Sequence, residues 1–346
     1  MSGPTLHIGN KSFALDRSLA EKWQPEDTWQ KTIRDTVGEW YDDKDFITIA
    51  TSGTTGSPKL IDLPKSTMRQ SALLTAQAFS LQSGSKALLC LPAHYIAGKM
   101  MVIRAIVNDW DLHAQAPSSL PELDLDAMDF AAMIPLQVQS LLDQNPQGLD
   151  SIHTLIIGGA PLGTGLTARL QLYSGRAFET YSMTEAATHV ALRQINGRDA
   201  QPWFTALPGV KFTSTDDGRL RIAADHLNSE LITNDSVDLK SDTQFIWLGR
   251  ADNVVNSGGI KLHPESIEAK TQEVITGRHF FIGEADELLG ERLVMALEGS
   301  PLDEAEEKQL LQNLRQVLSK FEMPKQIISI PQFEETETGK VKRKLR

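Results

Sequence analysis

Apolar residues in the first half of the chain fall into short β-rich runs, each followed by residues at helical spacing. Phe46-Ile47-Thr48-Ile49-Ala50 ends at a stretch of serine, glycine and threonine, which predicts a strand feeding a polar loop. After Pro64, suited to a first helical turn, Met68, Ala72, Ala76 and Phe79 recur at helical spacing. The apolar run 87–91 is stopped by Pro92, and a helix is expected over about 98–107. Residues 130–134 and 155–157 predict further strands, followed by helical segments over 136–142 and 166–172. Apolar strands alternating with helices predict an α/β fold with mainly parallel sheets covered by helices.

From about 205 to 248 the texture changes to short runs such as Arg219-Leu220-Arg221-Ile222 between Asp/Gly turns, which reads as a small antiparallel β unit. Beyond Gly249 a smaller α+β piece is expected. Its amphipathic helix would carry Leu310, Leu314, Val317 and Phe321 on one face, opened by Asp303 with Glu306 three residues on. The expected division is 1–249, containing the β-rich 205–248, and a mobile C-terminal domain over 250–346. The tail from Lys340 holds five basic residues in seven, by default a solvated terminus.

The chain has 346 residues and a formal charge of −11, which disfavours a general nucleic-acid binder because such binding neutralises phosphates. Its single cysteine, Cys90, excludes an internal disulfide and a cysteine zinc site, and its apolar neighbours place it in the core. With neither a secretory pattern nor a long uncharged apolar stretch, a cytoplasmic protein without a membrane span is expected.

The strongest chemical signal is Thr51-Ser52-Gly53-Thr54-Thr55-Gly56-Ser57-Pro58-Lys59, directly after a strand. Glycines that admit unusual backbone angles, hydroxyls and a lysine can wrap polyphosphate oxygens, although the same composition also suits a polar turn. The string resembles the phosphate loop of adenylate-forming enzymes, the superfamily of acyl-CoA synthetases, luciferases and nonribosomal adenylation domains. Six further segments follow in that family's order. They are Gly158-Gly159-Ala160-Pro161, Tyr181-Ser182-Met183-Thr184-Glu185, Thr233-Asn234-Asp235, Gly249-Arg250-Ala251-Asp252, Ser257-Gly258-Gly259-Ile260-Lys261 and Thr338-Gly339-Lys340. Ser182 and Asn234 stand where the family has glycine.

The resemblance implies ATP and Mg²⁺ as cofactors, CoA as co-substrate and a small carboxylic acid as partner. Glu185 would hold the metal, a hard cation that prefers oxygen. Thr184 would donate to the α-phosphate, Tyr181 would lie against adenine, and Asp235 with Arg250 would hold the ribose. Lys340 would bridge the carboxylate and α-phosphate as charge develops. Asp252 would be the hinge, with Gly258, Gly259 and Lys261 on the CoA side.

On the acyl side, Leu91-Pro92-Ala93-His94-Tyr95-Ile96-Ala97-Gly98 is similar to the segment bordering the family's acid pocket, with Tyr95 at the histidine position and His94 one place earlier. Arg104 lies six residues after Gly98 among apolar neighbours, where a surface or ion-pair role is the ordinary reading. The segment resembles the o-succinylbenzoate–CoA ligases, which place a basic residue at this position; their substrate keeps a second carboxylate, which a guanidinium would bind through a two-pronged hydrogen-bond pair. The 50 residues before the phosphate loop also fit a small acid better than a long fatty chain. A CoA ligase leads. The alternatives are an adenylating enzyme that loads a separate carrier protein and a non-catalytic nucleotide-binding relative.

Overall fold

The computed structural model describes residues 3–50, 59–123, 127–272, 274–275, 277–335 and 341–345. Strands β1 (Thr5–Ile8) and β2 (Lys11–Ala14) form an antiparallel pair, followed by α1 (Arg17–Lys22) and α2 (Thr28–Tyr41). The helical spacing of Ile33, Val37 and Trp40 gives α2 a buried face. β3 (Phe46–Ala50) forms as expected, with Ile47 and Ile49 inward, but it pairs with β4 (Leu60–Pro64) in a hairpin apart from the main sheet.

Next come α3 (Lys65–Phe79), β5 (Lys86–Leu89), α4 (Ile96–Asn108), β6 (Asp111–Ala114), β7 (Met128–Met133), α5 (Pro135–Gln144) and α6 (Pro146–Leu149). β8 (Ile152–Ile157), α7 (Thr164–Leu170) and β9 (Arg176–Met183) complete the strand–helix alternation. Pairing is parallel throughout the order β1-β6-β5-β7-β8-β9. The central strands β5, β7 and β8 read as largely apolar runs because both faces are covered, whereas β1 and β6 at the side of the sheet alternate. Alternate residues serve opposite faces: Leu89, Phe130 and Ile156 meet Met68, Ala72 and Met101 of α3 and α4. Leu88, Ala131 and Leu155 meet Val138, Leu141 and Leu170 of α5 and α7. Cys90 lies in this second core, bonded weakly to the Ala132 carbonyl, and burial pushes its thiol up to about 12.

At β9 the direction changes. β10 (Thr188–Gln194), β11 (Phe204–Ala206), β12 (Val210–Ser214), β13 (Arg219–Ala224), β14 (Leu231–Ser241) and β15 (Gln244–Arg250) add antiparallel strands. The β-rich region is therefore no separate sheet; it extends the first to thirteen strands among the described residues. Phe204, Phe212 and Phe245 pack its core, with ring centroids 4.9–5.4 Å apart.

A second, five-stranded sheet follows: β16 (Val255–Ser257), β17 (Ile260–Leu262), α8 (Pro264–Thr271), β18 (His279–Asp286), β19 (Gly290–Glu298), α9 (Glu304–Val317) and β20 (Gln326–Ile330). It has its own core, including Phe281, Met295 and Leu314. Two sequence expectations need correction here. Phe321 lies beyond α9 and is 61% exposed, since the helix ends before the apolar spacing does. Nor is the basic tail simply solvated: Arg343 donates to both Glu268 oxygens at 2.6 Å, because a bidentate carboxylate compensates its desolvation.

The reciprocal capping box at the start of α9 is present, with Asp303 accepting from the Glu306 amide at 2.8 Å and Glu306 accepting from the Asp303 amide at 2.9 Å. Replacement of Asp303 by alanine is expected to lower stability by about 1 kcal/mol. Urea unfolding followed by circular dichroism measures this.

Candidate active site

In open α/β sheets ligands bind outside the carboxyl ends of the strands. The sequence-predicted residues gather at the ends of β8 and β9, and β9 is also where pairing changes from parallel to antiparallel. Just beyond β8, the Gly158 amide donates to the Met133 carbonyl at 3.1 Å, turning the chain sharply out of the sheet. A Cβ on Gly158 would lie 2.4 Å from Thr180 Oγ1, and Gly159 has φ +89°, so both glycines answer a physical need. Ala160 and Pro161 continue this loop at the surface.

Tyr181 sits near the end of β9, edge-on to Phe245 at 5.0 Å. Its hydroxyl donates to Asp235 Oδ2 at 2.6 Å, while Trp247 Nε1 donates to Asp235 Oδ1 at 3.2 Å. Burial, then the Asp235 charge, push the Tyr181 hydroxyl far above its ordinary range. Asp235 and Arg250 are register partners across β14 and β15, with Arg250 Nη1 3.7 Å from Asp235 Oδ1. Thus the residues expected at adenine and ribose form one connected group. Trp247 was not read from the sequence, since it lies two residues before the Gly249-Arg250-Ala251-Asp252 motif and is not part of it.

Thr184 and Glu185 occupy a short 3₁₀ turn (Thr184–Ala186) directly after β9; Thr184 is half-buried and Glu185 exposed. Asn234 donates through Nδ2 to Asp252 Oδ2. The departure from glycine therefore ties β14 to the expected hinge, a contact motif comparison does not reveal. Gly249, with φ +142°, leaves room for Glu265 of α8: a Cβ there would lie 2.3 Å from Glu265 Oε2. Gly258 and Gly259, with φ +60° and +85°, make the two-residue turn of the β16–β17 hairpin, and Lys261 is exposed on β17.

On the acyl side, Gly98 is needed because a Cβ would lie 2.3 Å from the Pro92 carbonyl oxygen. His94 and Tyr95 are exposed at the start of α4, with ring centroids 4.0 Å apart. Arg104, in contrast, is 2% exposed. The ordinary reading of such an arginine, at the surface or in an ion pair, does not hold: among the described residues its partners are neutral. They are Thr75 Oγ1 at 3.2 Å, Thr188 Oγ1 at 3.0 Å, His189 Nδ1 at 3.4 Å and Met101 Sδ at 3.5 Å. Burial with no opposing charge pulls its pKa down to about 9, which leaves it protonated at neutral pH. Thr75, Thr188 and His189 were not read from the sequence, since they come from α3 and β10.

Thr51, Ser52, Gly53, Thr54, Thr55 and Gly56 lie outside the described residues, as does Lys340. Lys59 is exposed just before β4. On the far side of Lys340, the Lys342 amide donates to the Glu334 carbonyl at 2.8 Å, and Glu335 bridges to Val341. The two sheets' units meet where the Thr164 amide donates to Gln272 Oε1 at 2.8 Å. Among the described residues no group of three or more His, Cys, Asp and Glu side chains could hold a metal by itself, and no helix is long and apolar enough to cross a membrane.

A family model described as "AMP-binding enzyme" matches residues 5–225. The chain belongs to that family. An acyl-CoA synthetase (AMP-forming)/AMP-acid ligase II-like protein from Dyadobacter fermentans is 33% identical, with TM-score 0.64, over 95% of this chain and 96% of that one. The 2-succinylbenzoate–CoA ligase of Haemophilus influenzae is 25% identical over 79% of this chain and 64% of its own length. The chain thus spans about two thirds of such curated relatives. The fold is also that of the Bacillus subtilis o-succinylbenzoate CoA synthetase in complex with its acyl-adenylate, at 17% identity and TM-score 0.73 over 85% of this chain and 67% of that one. This AMP-binding enzyme has the mixed α/β architecture of the adenylate-forming proteins.

The close approach at Gly158 is directly testable. Gly158→Ala is expected to lose about 1–3 kcal/mol through overpacking, and Thr180→Ala in the same chain to recover most of that loss. Urea unfolding of both single variants and the double variant reads the coupling.

Proposed function

We propose that this AMP-binding enzyme is an ATP-dependent carboxylate–CoA ligase, forming an acyl-adenylate and then a thioester, with o-succinylbenzoate as its acid. One observation carries the substrate reading. Arg104 is a buried guanidinium without an anionic partner among the described residues, on the helix that follows the His94-Tyr95 segment. A buried charge lacking a counter-charge is expensive, so a carboxylate arriving there relieves an existing penalty. The curated relatives named 2-succinylbenzoate–CoA ligases support the same reading.

In this reading Asp235 and Arg250 take the ribose hydroxyls, which must share Asp235 with Tyr181 and Trp247. Thr184 donates to the α-phosphate. Glu185, an exposed carboxylate directly after β9, would hold Mg²⁺, a hard cation that prefers oxygen, and the ion would supply neutralisation of phosphate charge when bound. Lys340 donates to the oxygens on which charge develops as the carboxylate attacks the α-phosphate and pyrophosphate leaves. The thiol of CoA then displaces AMP, with the Gly258-Gly259 turn and Lys261 on its side. Residues 1–249 and 250–346 act as two domains, with Asp252 as the hinge that withdraws Lys340 between steps. Loading of a separate carrier protein is the second reading. It draws on a Bacillus anthracis 3,4-dihydroxybenzoate–[aryl-carrier protein] ligase, 23% identical over 85% of this chain.

Pyrophosphate release with ATP, Mg²⁺ and a panel of acids, with and without CoA, tests the reaction; turnover that requires a carrier protein instead of CoA selects the second reading. Arg104→Ala is expected to raise KM for o-succinylbenzoate by roughly 30-fold to several-thousand-fold, as for other truncated buried charge pairs, and to leave KM for ATP nearly unchanged. Wild-type behaviour of Arg104→Ala toward this acid defeats the anchor. Lys340→Ala is expected to abolish adenylate formation yet spare thioester formation from supplied adenylate. Equal loss of both half-reactions counts against the two-conformation scheme.

A further inference from the structure

A guanidinium only donates, so His189 Nδ1, 3.4 Å from Arg104 Nη2, must present its lone pair. The ring proton therefore sits on Nε2, which faces Thr75 Oγ1 at 3.5 Å. Thr75 accepts from Arg104 Nε at 3.2 Å and passes its own hydrogen to the Ser71 carbonyl at 2.9 Å. Thr188 accepts from Nη2 at 3.0 Å and exchanges a hydrogen bond with Ser71 Oγ, also at 3.0 Å. Nε and Nη2 are thus committed to oxygen or nitrogen acceptors. Among the described residues Nη1 meets only the thioether of Met101 at 3.5 Å, a weak acceptor.

His189 is also kept neutral. Burial, reinforced by the Arg104 charge, holds its pKa well below the ordinary histidine range, so this buried cluster of Arg104, Thr75, Thr188 and His189 carries one positive charge at neutral pH. Two backbone irregularities flank this ring: Ala187 has φ +61° although it carries a side chain, and the β9–β10 register shifts between His189 and Ala191.

We propose that His189 is the positioning residue that sets acid specificity: its Nδ1 holds Arg104 Nη2, with Thr75 and Thr188, so that Nη1 is the edge left for one oxygen of the substrate's second carboxylate. The proposal rests on the ligase reading above. It specifies an end-on grip, since a two-pronged one would require the anion to displace His189 or a threonine from Nη2 or Nε.

The test compares His189→Leu, which removes the acceptor, with His189→Asn, whose Oδ1 can replace Nδ1. Pyrophosphate release is measured with o-succinylbenzoate and with benzoate, which lacks the second carboxylate. His189→Leu is expected to raise KM for o-succinylbenzoate roughly 10- to 100-fold, the scale of one hydrogen bond to a charged group, with KM for ATP and for benzoate within about twofold. His189→Asn should restore most of the loss. If the leucine variant does not fold, His189→Gln, whose acceptor lies one bond further out, replaces it and should show the raised KM. Equal effects on both acids, or no rescue by asparagine, assign His189 a merely structural role and overturn the proposal. If titration calorimetry and pyrophosphate release both show that the wild-type protein ignores o-succinylbenzoate, the ligase substrate reading falls, and this proposal with it.

Discussion

Parallel strands must be covered on both faces, and that single constraint organises this molecule. β5, β7 and β8 are almost wholly buried between α3–α4 on one side and α5–α7 on the other. Polar chemistry is excluded from such an interior unless it is fully partnered. It is therefore displaced to the strand ends, where Gly158-Gly159 follow β8 and Thr184-Glu185 follow β9. The reversal from parallel to antiparallel at β9–β10 opens one side of these ends to β14 and β15. That is how Asp235 reaches Tyr181, 54 positions away in sequence, across a 2.6 Å hydrogen bond.

Arg104 is the exception that the same constraint makes informative. It lies in the layer where apolar side chains otherwise cover the sheet, and three elements converge on it: α3 through Thr75, α4 through its own backbone, and β10 through Thr188 and His189. The neutral partners satisfy hydrogen bonds without cancelling the charge. Replacing them with a carboxylate side chain would have given an ordinary buried ion pair; their neutrality keeps a positive field available to a ligand.

Glycine positions show how the same pattern can arise for different reasons. Gly98 and Gly158 are required by close approach of a carbonyl and a threonine hydroxyl, whereas Gly259 sits in open space and is required by its positive φ. Ser182 and Asn234, where the family has glycine, sit on strands and are tolerated; Asn234 even adds a bond to Asp252.

By itself the amino-acid sequence determined the strand–helix alternation, the apolar runs of β5, β7 and β8, the capping box at Asp303 and the order of the chemical motifs. These are local properties, written in periodicity and in short strings whose residues act together within one turn. It did not reveal β1, β2 and α2, nor the joining of 205–248 to the main sheet, because short half-exposed strands are chosen by their neighbours more than by their own residues. Nor could it show that Arg343 docks on Glu268 or that Arg104 is buried among neutral groups. Burial and partnership are decided between segments tens of residues apart, so the charge of a side chain is legible in the sequence while its surroundings belong to the tertiary structure alone.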